Sequence, residues 1–422
     1  MLDSAATLQT RHAGGFLAAR EMVRPITLLH LSDLRFGFGH PCGRLAPPSV
    51  DDTAQAAALL LLTDLGRVQD EEGKLVQPDL VVLSGDLTNE GRPSEFRDLF
   101  SFVDVLAQGL EIPRNRVVVV PGNRDVSREA CAAYFSSCTA EEVEPRLPYW
   151  PKWRFFSRFF KDLYADHPEI TFTESEPWSI WELPDLKLTV AGLNSTYAES
   201  HLDGDHYGLL GDRQLVWFGR ELEEAKQREW LRIAVLHHDL RGEPTRQEER
   251  LRDREGLLAV LGDRVNLFLQ GHTWDIRSDR AITGGGSIPV FPAGSQELRP
   301  EAGPDPGTNV YQVLRIHRDR IHRQTRVCRG GRSPWAAEPR GQETVPVRFV
   351  DTGATFHEMS DATRLEQKML RNILGEGEPR HREMDVQNTG TFLNNAPDFL
   401  AEVETVCRLR ERAGAEVQRA RR

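Results

Sequence analysis

Five times along this 422-residue chain a short apolar run breaks on a turn that presents a polar side chain. Ile26 to Leu31 leads to Ser32-Asp33, and Leu80 to Leu83 leads to Ser84-Gly85-Asp86. Arg116 to Val120 leads to Pro121-Gly122-Asn123, Ile233 to Leu236 to His237-His238, and Val265 to Gln270 to Gly271-His272. A short apolar run bounded by turn residues suits a strand buried on both faces, as in a parallel sheet covered by helices. Asp51 to Val68 reads as a helix with two acids in its first turn, where the dipole favours them, and a second helix is expected from about Ser94 to Leu106. This is a βαβαβ run with right-handed crossovers. Open α/β sheets build their sites beyond the carboxyl ends of the strands. All five strand ends carry a side chain able to bind a metal, so one shared site is expected there.

The remaining segments vary this pattern. In residues 149–164, Trp153, Phe156, Phe160 and Tyr164 recur at helical spacing. They suit a lid helix burying its aromatics, with a wall for a flat ligand as the alternative. Leu186 to Gly192 reads as a strand ending in Leu193-Asn194-Ser195, Asp212 to Lys226 as a helix, and 247–261 as another. Ile288–Pro292, Asn309–His317 and Arg320–Cys328 read as antiparallel strands, with Arg318-Asp319 as the last turn. Gly, Pro and Arg crowd 329–341 as in a linker, and helical stretches follow at 360–374 and 397–418, the second with Phe399, Val403 and Val406 on one stripe. The expected organisation is a flexible lead-in over 1–23, one domain over 24–334, and a linker with a helical extension over 335–422.

Composition narrows the setting. With 39% apolar and 28% charged residues the chain is an ordinary globular protein, and its formal net charge of −11 argues against nucleic acid or an anionic membrane as a partner. Five scattered cysteines without a CxxC spacing read as reduced thiols, which points to the cytoplasm. No apolar run approaches the ~20 residues needed to span a bilayer. His30 reads as a core histidine. His201 and His206, in the polar stretch HLDGDHYG, read as surface residues with ligand contact as the alternative.

The ordered motifs LHLSDLR (29–35), SGDLTNEG (84–91), PGNRD (121–125), VLHHD (235–239) and QGHTWD (270–275) resemble those of the calcineurin-like metallophosphoesterases. GLNST (192–196) and GLLGDRQLVWFGREL (208–222) add to the likeness, which covers about residues 24–330. The resemblance implies a four-layer α/β/β/α sandwich with two divalent metals between the loops at the strand ends. Two metals about 3.5–4 Å apart need one bridging anionic oxygen, and the resemblance gives that role to Asp86. It makes Asn123, His237 and His272 the other ligands of one metal, with His238 as the fallback for His237. That oxygen and nitrogen set suits Mn, Fe, Zn or Co. Asp33 falls to the other metal.

Three positions depart from the family pattern. The family has histidine at the positions of Arg35 and Trp274, both for the metal of Asp33, and a third histidine at Arg124, where it assists the leaving group. Arginine stays protonated in proteins, so it offers neither a lone pair to a metal nor a proton to a leaving group. Arg35 instead brings a fixed charge beside Asp33 and Asp86. The expectation is a binding or regulatory module of this fold with one metal at most. The alternative is a one-metal hydrolase of phosphodiesters or phosphomonoesters, with Arg35 and Arg124 clamping the phosphate. A phosphorylated small molecule or nucleotide is the expected ligand, and the C-terminal extension the expected place for a protein partner.

Overall fold

A computed structural model describes residues 24–37, 53–241, 250–273, 276–283, 286–294, 308–329 and 335–347. The described residues open with strand β1 (Ile26–Leu31), helix α1 (Thr53–Leu65), β2 (Leu80–Ser84), α2 (Pro93–Leu110) and β3 (Val117–Val120). The three strands run parallel, β1 against β2 and β2 against β3, as the βαβαβ reading requires. Helices α3 (Arg128–Ala140) and α4 (Arg154–Leu163) follow. Next come β4 (Ser179–Leu183), β5 (Leu188–Gly192), α5 (Asp212–Gln227), β6 (Leu231–Leu236), α6 (Arg254–Leu261), β7 (Leu267–Gln270), β8 (Asp279–Thr283) and β9 (Gly286–Pro292). The described chain closes with β10 (Thr308–Ile316), β11 (Arg320–Arg329) and β12 (Ala336–Pro346).

These strands form two six-stranded sheets, ordered β12-β11-β10-β1-β2-β3 and β4-β5-β6-β7-β9-β8. The five strands singled out from sequence are therefore divided, β1, β2 and β3 in one sheet and β6 and β7 in the other. Strand alternation explains why their sequences are apolar throughout. On β6, Ile233 and Val235 join the core shared with the first sheet, while Ala234 and Leu236 face a second core with Leu215, Phe218 and Leu222 of α5 and Leu257 and Leu261 of α6. On β7, Leu267 and Leu269 face the first core and Phe268 the second. Each position has a covered face to fill, which is the mixed α/β, two-sheet architecture expected. No helix among the described residues is long and apolar enough to cross a membrane. Cys131, Cys138 and Cys328 are buried free thiols.

Several expectations change. Residues 336–346, expected within a linker, pair with β11 as an antiparallel edge strand. Pro339 and Gly341 supplied the linker signal, but proline is tolerated at a sheet edge, and the register shifts between Gln324 and Arg326, opposite this strand. A Cβ at Gly341 would come within 2.3 Å of Thr325 Cβ, so only glycine fits that approach. Strand β9 does not join β10 and β11: it lies in the other sheet, parallel to β7 and antiparallel to β8. Strands β4 and β8 and helix α3 were not anticipated. The aromatic segment begins with a 3-10 turn (Trp150–Trp153) before α4, and Trp153, Phe156 and Phe160 are all buried. They pack against Phe172 and Trp181 rather than forming a ligand wall. The lead-in 1–23, Trp274, and the helices expected at 360–374 and 397–418 lie outside the described residues.

Candidate metal centre

Three loops meet where β1, β2 and β3 end, and the backbone is bent hard to bring them together. Nine non-glycine residues among those described have positive φ, and four of them are here: Asp33 (56°), Arg35 (53°), Asp86 (53°) and His272 (55°). Such conformations are costly for side chains with a Cβ and cluster at functional sites. Gly122 permits the closest approach, since a Cβ there would lie 2.2 Å from Asp86 N and 2.4 Å from Asp86 Oδ1. Gly85, at φ 90°, is likewise required, since a Cβ there would lie 2.6 Å from His237 Nδ1 and 2.8 Å from Gly122 N.

Asp125 staples these loops. Its buried carboxylate accepts Leu87 N (3.0 Å), Thr88 N (2.8 Å), Thr88 Oγ1 (2.9 Å) and Gly122 N (2.8 Å). Burial, and then the charge of Asp86, raise the Asp125 pKa to about 7, against the pull of those backbone donors. Asp125 belongs to the PGNRD motif, but nothing in the sequence marked it as the residue that fastens the Asp86 loop to the Asn123 loop.

Around Asp86 four donor atoms converge. His237 Nε2 lies 3.2 Å from Asp86 Oδ1, 3.1 Å from Asn123 Oδ1 and 3.0 Å from His272 Nδ1. One donor atom each from Asp86, His237 and His272 lie within 4.8 Å of one another. Ligand atoms held about 2.1 Å from one cation are about 3.0 Å apart in an octahedron and about 3.4 Å apart in a tetrahedron, so these separations fit a single ion. The hydrogen bonding agrees. His237 Nδ1 lies 2.9 Å from the Ser84 carbonyl and can only donate to it, which leaves Nε2 as a lone pair. That lone pair faces a carboxylate oxygen and an amide oxygen. Either a second proton on Nε2 or a cation reconciles them. Burial opposes the imidazolium, yet Asp86 raises the His237 pKa above its ordinary value. Burial likewise pushes Asp86 up, but the charges of His237, Arg35 and His272 hold its carboxyl well below the usual range. The buried Asp86 Oδ2 accepts no hydrogen bond among the described residues.

Arg35 stands on the other side. One terminal nitrogen of its guanidinium is 3.4 Å from Asp33 Oδ1 and 3.5 Å from Asp86 Oδ2. Asp33 Oδ2 accepts Ser32 Oγ at 2.7 Å and His272 N at 3.3 Å. Arg124 donates its backbone N–H to Asp86 Oδ1 at 2.9 Å and places Nε 3.7 Å from Asp86 Oδ2, with a third of its side chain exposed. The structure thus gathers Asp33, Arg35, Asp86, Asn123, Arg124, His237 and His272 about one carboxylate.

His238 stays out of the donor cluster: its Nδ1 is 2.8 Å from Ser195 Oγ. His30 is a satisfied core residue, 2.8 Å from Ser84 Oγ and 2.7 Å from Gln312 Nε2, and burial lowers its pKa to about 3. His201 packs edge-on against Phe135, and His206 Nδ1 lies 2.6 Å from Glu199 Oε1, so neither joins the cluster. Lys152 went unnoticed in sequence. Fully buried, it gives its ammonium to the carbonyls of Thr196 (2.8 Å), Tyr197 (2.8 Å) and Glu199 (2.7 Å). It thereby shapes the loop that carries Ser195.

A family model described as calcineurin-like phosphoesterase matches residues 26–274. The chain is 27% identical over 245 residues to the "Probable cyclic nucleotide phosphodiesterase" of Rhodococcus erythropolis, an alignment covering 56% of this chain and 64% of that protein. It thus spans less than two thirds of the length of this curated relative. Among solved structures, a dimetal phosphatase from Danio rerio aligns over 77% of this chain and 99% of its own, at 15% identity and a TM-score of 0.44. Vacuolar Protein Sorting 29 from Cryptosporidium parvum aligns over 75% and 97%, at 11% identity and a TM-score of 0.31.

Proposed function

The chain belongs to the calcineurin-like phosphoesterase family, and on that footing we propose that it is a phosphate-ester-binding module holding a single divalent metal, an arginine having taken the place of the other. One observation carries this reading: the Arg35 nitrogen lies 3.4 Å from Asp33 and 3.5 Å from Asp86, where it serves both carboxylates at once. A guanidinium keeps its charge at any working pH and has no lone pair. It therefore neutralises the two acids and fills the space a first metal needs. Asp86, Asn123, His237 and His272 remain to hold Mn, Fe, Zn or Co. When bound, such an ion supplies a Lewis acid that polarises a phosphate oxygen.

The two arginines complete the binding function. Their planar N–H forks match phosphate oxygens, and Arg124 still presents part of its side chain to solvent. Neither can give a proton to a leaving alcohol. Buried thiols at Cys131, Cys138 and Cys328 accord with a cytoplasmic setting. A second reading, one-metal hydrolysis with the arginines clamping the phosphate, draws on the likeness to the Rhodococcus erythropolis phosphodiesterase.

Hydrolysis of bis-p-nitrophenyl phosphate in the presence of manganese separates the two. Turnover at the background rate is expected. The manganese-loaded protein should still bind inorganic phosphate, and Arg35→Gln should weaken that binding about tenfold or more, since a charge-assisted hydrogen bond is worth about 1.5–3 kcal/mol. Manganese-dependent turnover that disappears in Asp86→Ala would establish the hydrolase reading instead.

A further inference from the structure

His238 sits beside the metal cluster without entering it, and its hydrogen bonding favours one tautomer. Its ring centroid is 5.1 Å from that of His272 and 5.5 Å from that of His237, and the residue is 1% exposed. Ser195 Oγ, itself fully buried, contacts His238 twice: it accepts the backbone N–H at 3.2 Å and lies 2.8 Å from Nδ1. The serine has one proton to give, and Nδ1 is the acceptor the described residues offer it. With the serine proton assigned to Nδ1, that nitrogen is a lone pair and the neutral ring carries its proton on Nε2.

The packing says which edge of the ring is open. Gly208 closes the Cγ–Cδ2 edge so tightly that a Cβ there would come within 2.7 Å of His238 Cγ and 3.1 Å of Cδ2. Ser195 covers Nδ1, and His272 lies across the ring face, tilted by 36°. The edge left is Cε1–Nε2, and no acceptor among the described residues takes the Nε2 proton. An N–H on a 1% exposed residue beside a cluster of cation ligands, with no acceptor among the described residues, is placed to meet an anionic group from outside the chain.

We propose that His238 Nε2–H is a direct contact to the bound phosphate group, held in its donor tautomer by Ser195. This rests on the reading of the site as a metal-assisted phosphate-binding centre and adds to it a third N–H donor, neutral where the two guanidinium groups are charged. It also gives the GLNST and VLHHD motifs a joint purpose, since one supplies the serine and the other the ring.

Titration calorimetry on the full chain tests it, with manganese and then inorganic phosphate as the probes. His238→Phe keeps a ring of similar shape and removes the donor. Phosphate affinity of the manganese-loaded variant should fall about tenfold or more, while manganese affinity stays within about threefold of wild type. His238→Gln, which restores an N–H at similar reach, should recover part of the loss. Ser195→Ala, which frees the ring to change tautomer, should weaken phosphate by a smaller factor and leave manganese unchanged. Phosphate affinity unaltered in both His238→Phe and Ser195→Ala would overturn the assignment while leaving the metal centre intact. So would a parallel loss of manganese and phosphate, which would make the ring a packing support for His272. Wild-type protein that binds manganese but no phosphate would overturn the ligand reading of the site, and this contact with it.

Discussion

His237→Ala abolishes metal binding, with an expected loss in affinity of at least about 100-fold. Even partners that only orient a ligand are worth about 10–100-fold, and His237 is placed to be a direct one. It is also the hub of the cluster, since its Nε2 is the atom within 3.2 Å of Asp86, Asn123 and His272 alike. His238→Phe, one residue along, should leave metal affinity nearly unchanged. The contrast between adjacent histidines is the informative part, and isothermal titration with manganese or zinc reads it directly. Comparable losses in both variants would mean that the pair acts as one structural unit rather than as ligand and neighbour.

The second large effect is on stability. Asp125→Ala strips the common acceptor from Leu87 N, Thr88 N and Gly122 N, three backbone donors in a buried turn. Each unsatisfied buried group costs about 1–3 kcal/mol, so a loss of about 3–5 kcal/mol is expected. For a domain of this size that lowers the melting temperature by about 4–8 °C. The measurement belongs in chelator, because a bound metal would add its own linkage to the difference. A drop of less than about 3 °C would show that the Asp86 and Asn123 loops hold their shape without the staple, leaving the strained φ of Asp86 to be supported elsewhere.

Much of this was legible in the sequence, for a reason visible in β6 and β7. A strand with a core on each face has no choice but to be apolar throughout, and it can be polar only where it leaves the sheet. The ends of such strands therefore announce themselves, and Asp33, Asp86, Asn123, His237 and His272 are five such ends. The edge strand β12 was hidden by the same logic. With one neighbour and one covered face it tolerates proline and glycine, so it reads as a linker. The choice between His237 and His238 depends on which one a strand's pleat turns towards Ser84, and adjacent letters do not carry that. Lys152 lay unseen among aromatics, because its three carbonyl partners come from a loop more than forty residues away in sequence. Ser195 gained meaning only once its hydroxyl was found on His238.

On the proposed reading, Arg35 replaces one metal and leaves room for the other. Counting metal per chain after loading with excess manganese or zinc and removing unbound ion tests it most directly, with the wild-type protein and Arg35→His measured side by side. About one ion per chain is expected in the wild type, lost when Asp86, His237 or His272 is replaced by alanine. Arg35→His, which exchanges the guanidinium for a donor, should bind no fewer. Two ions per chain in the wild type, with Arg35 in place, would contradict it.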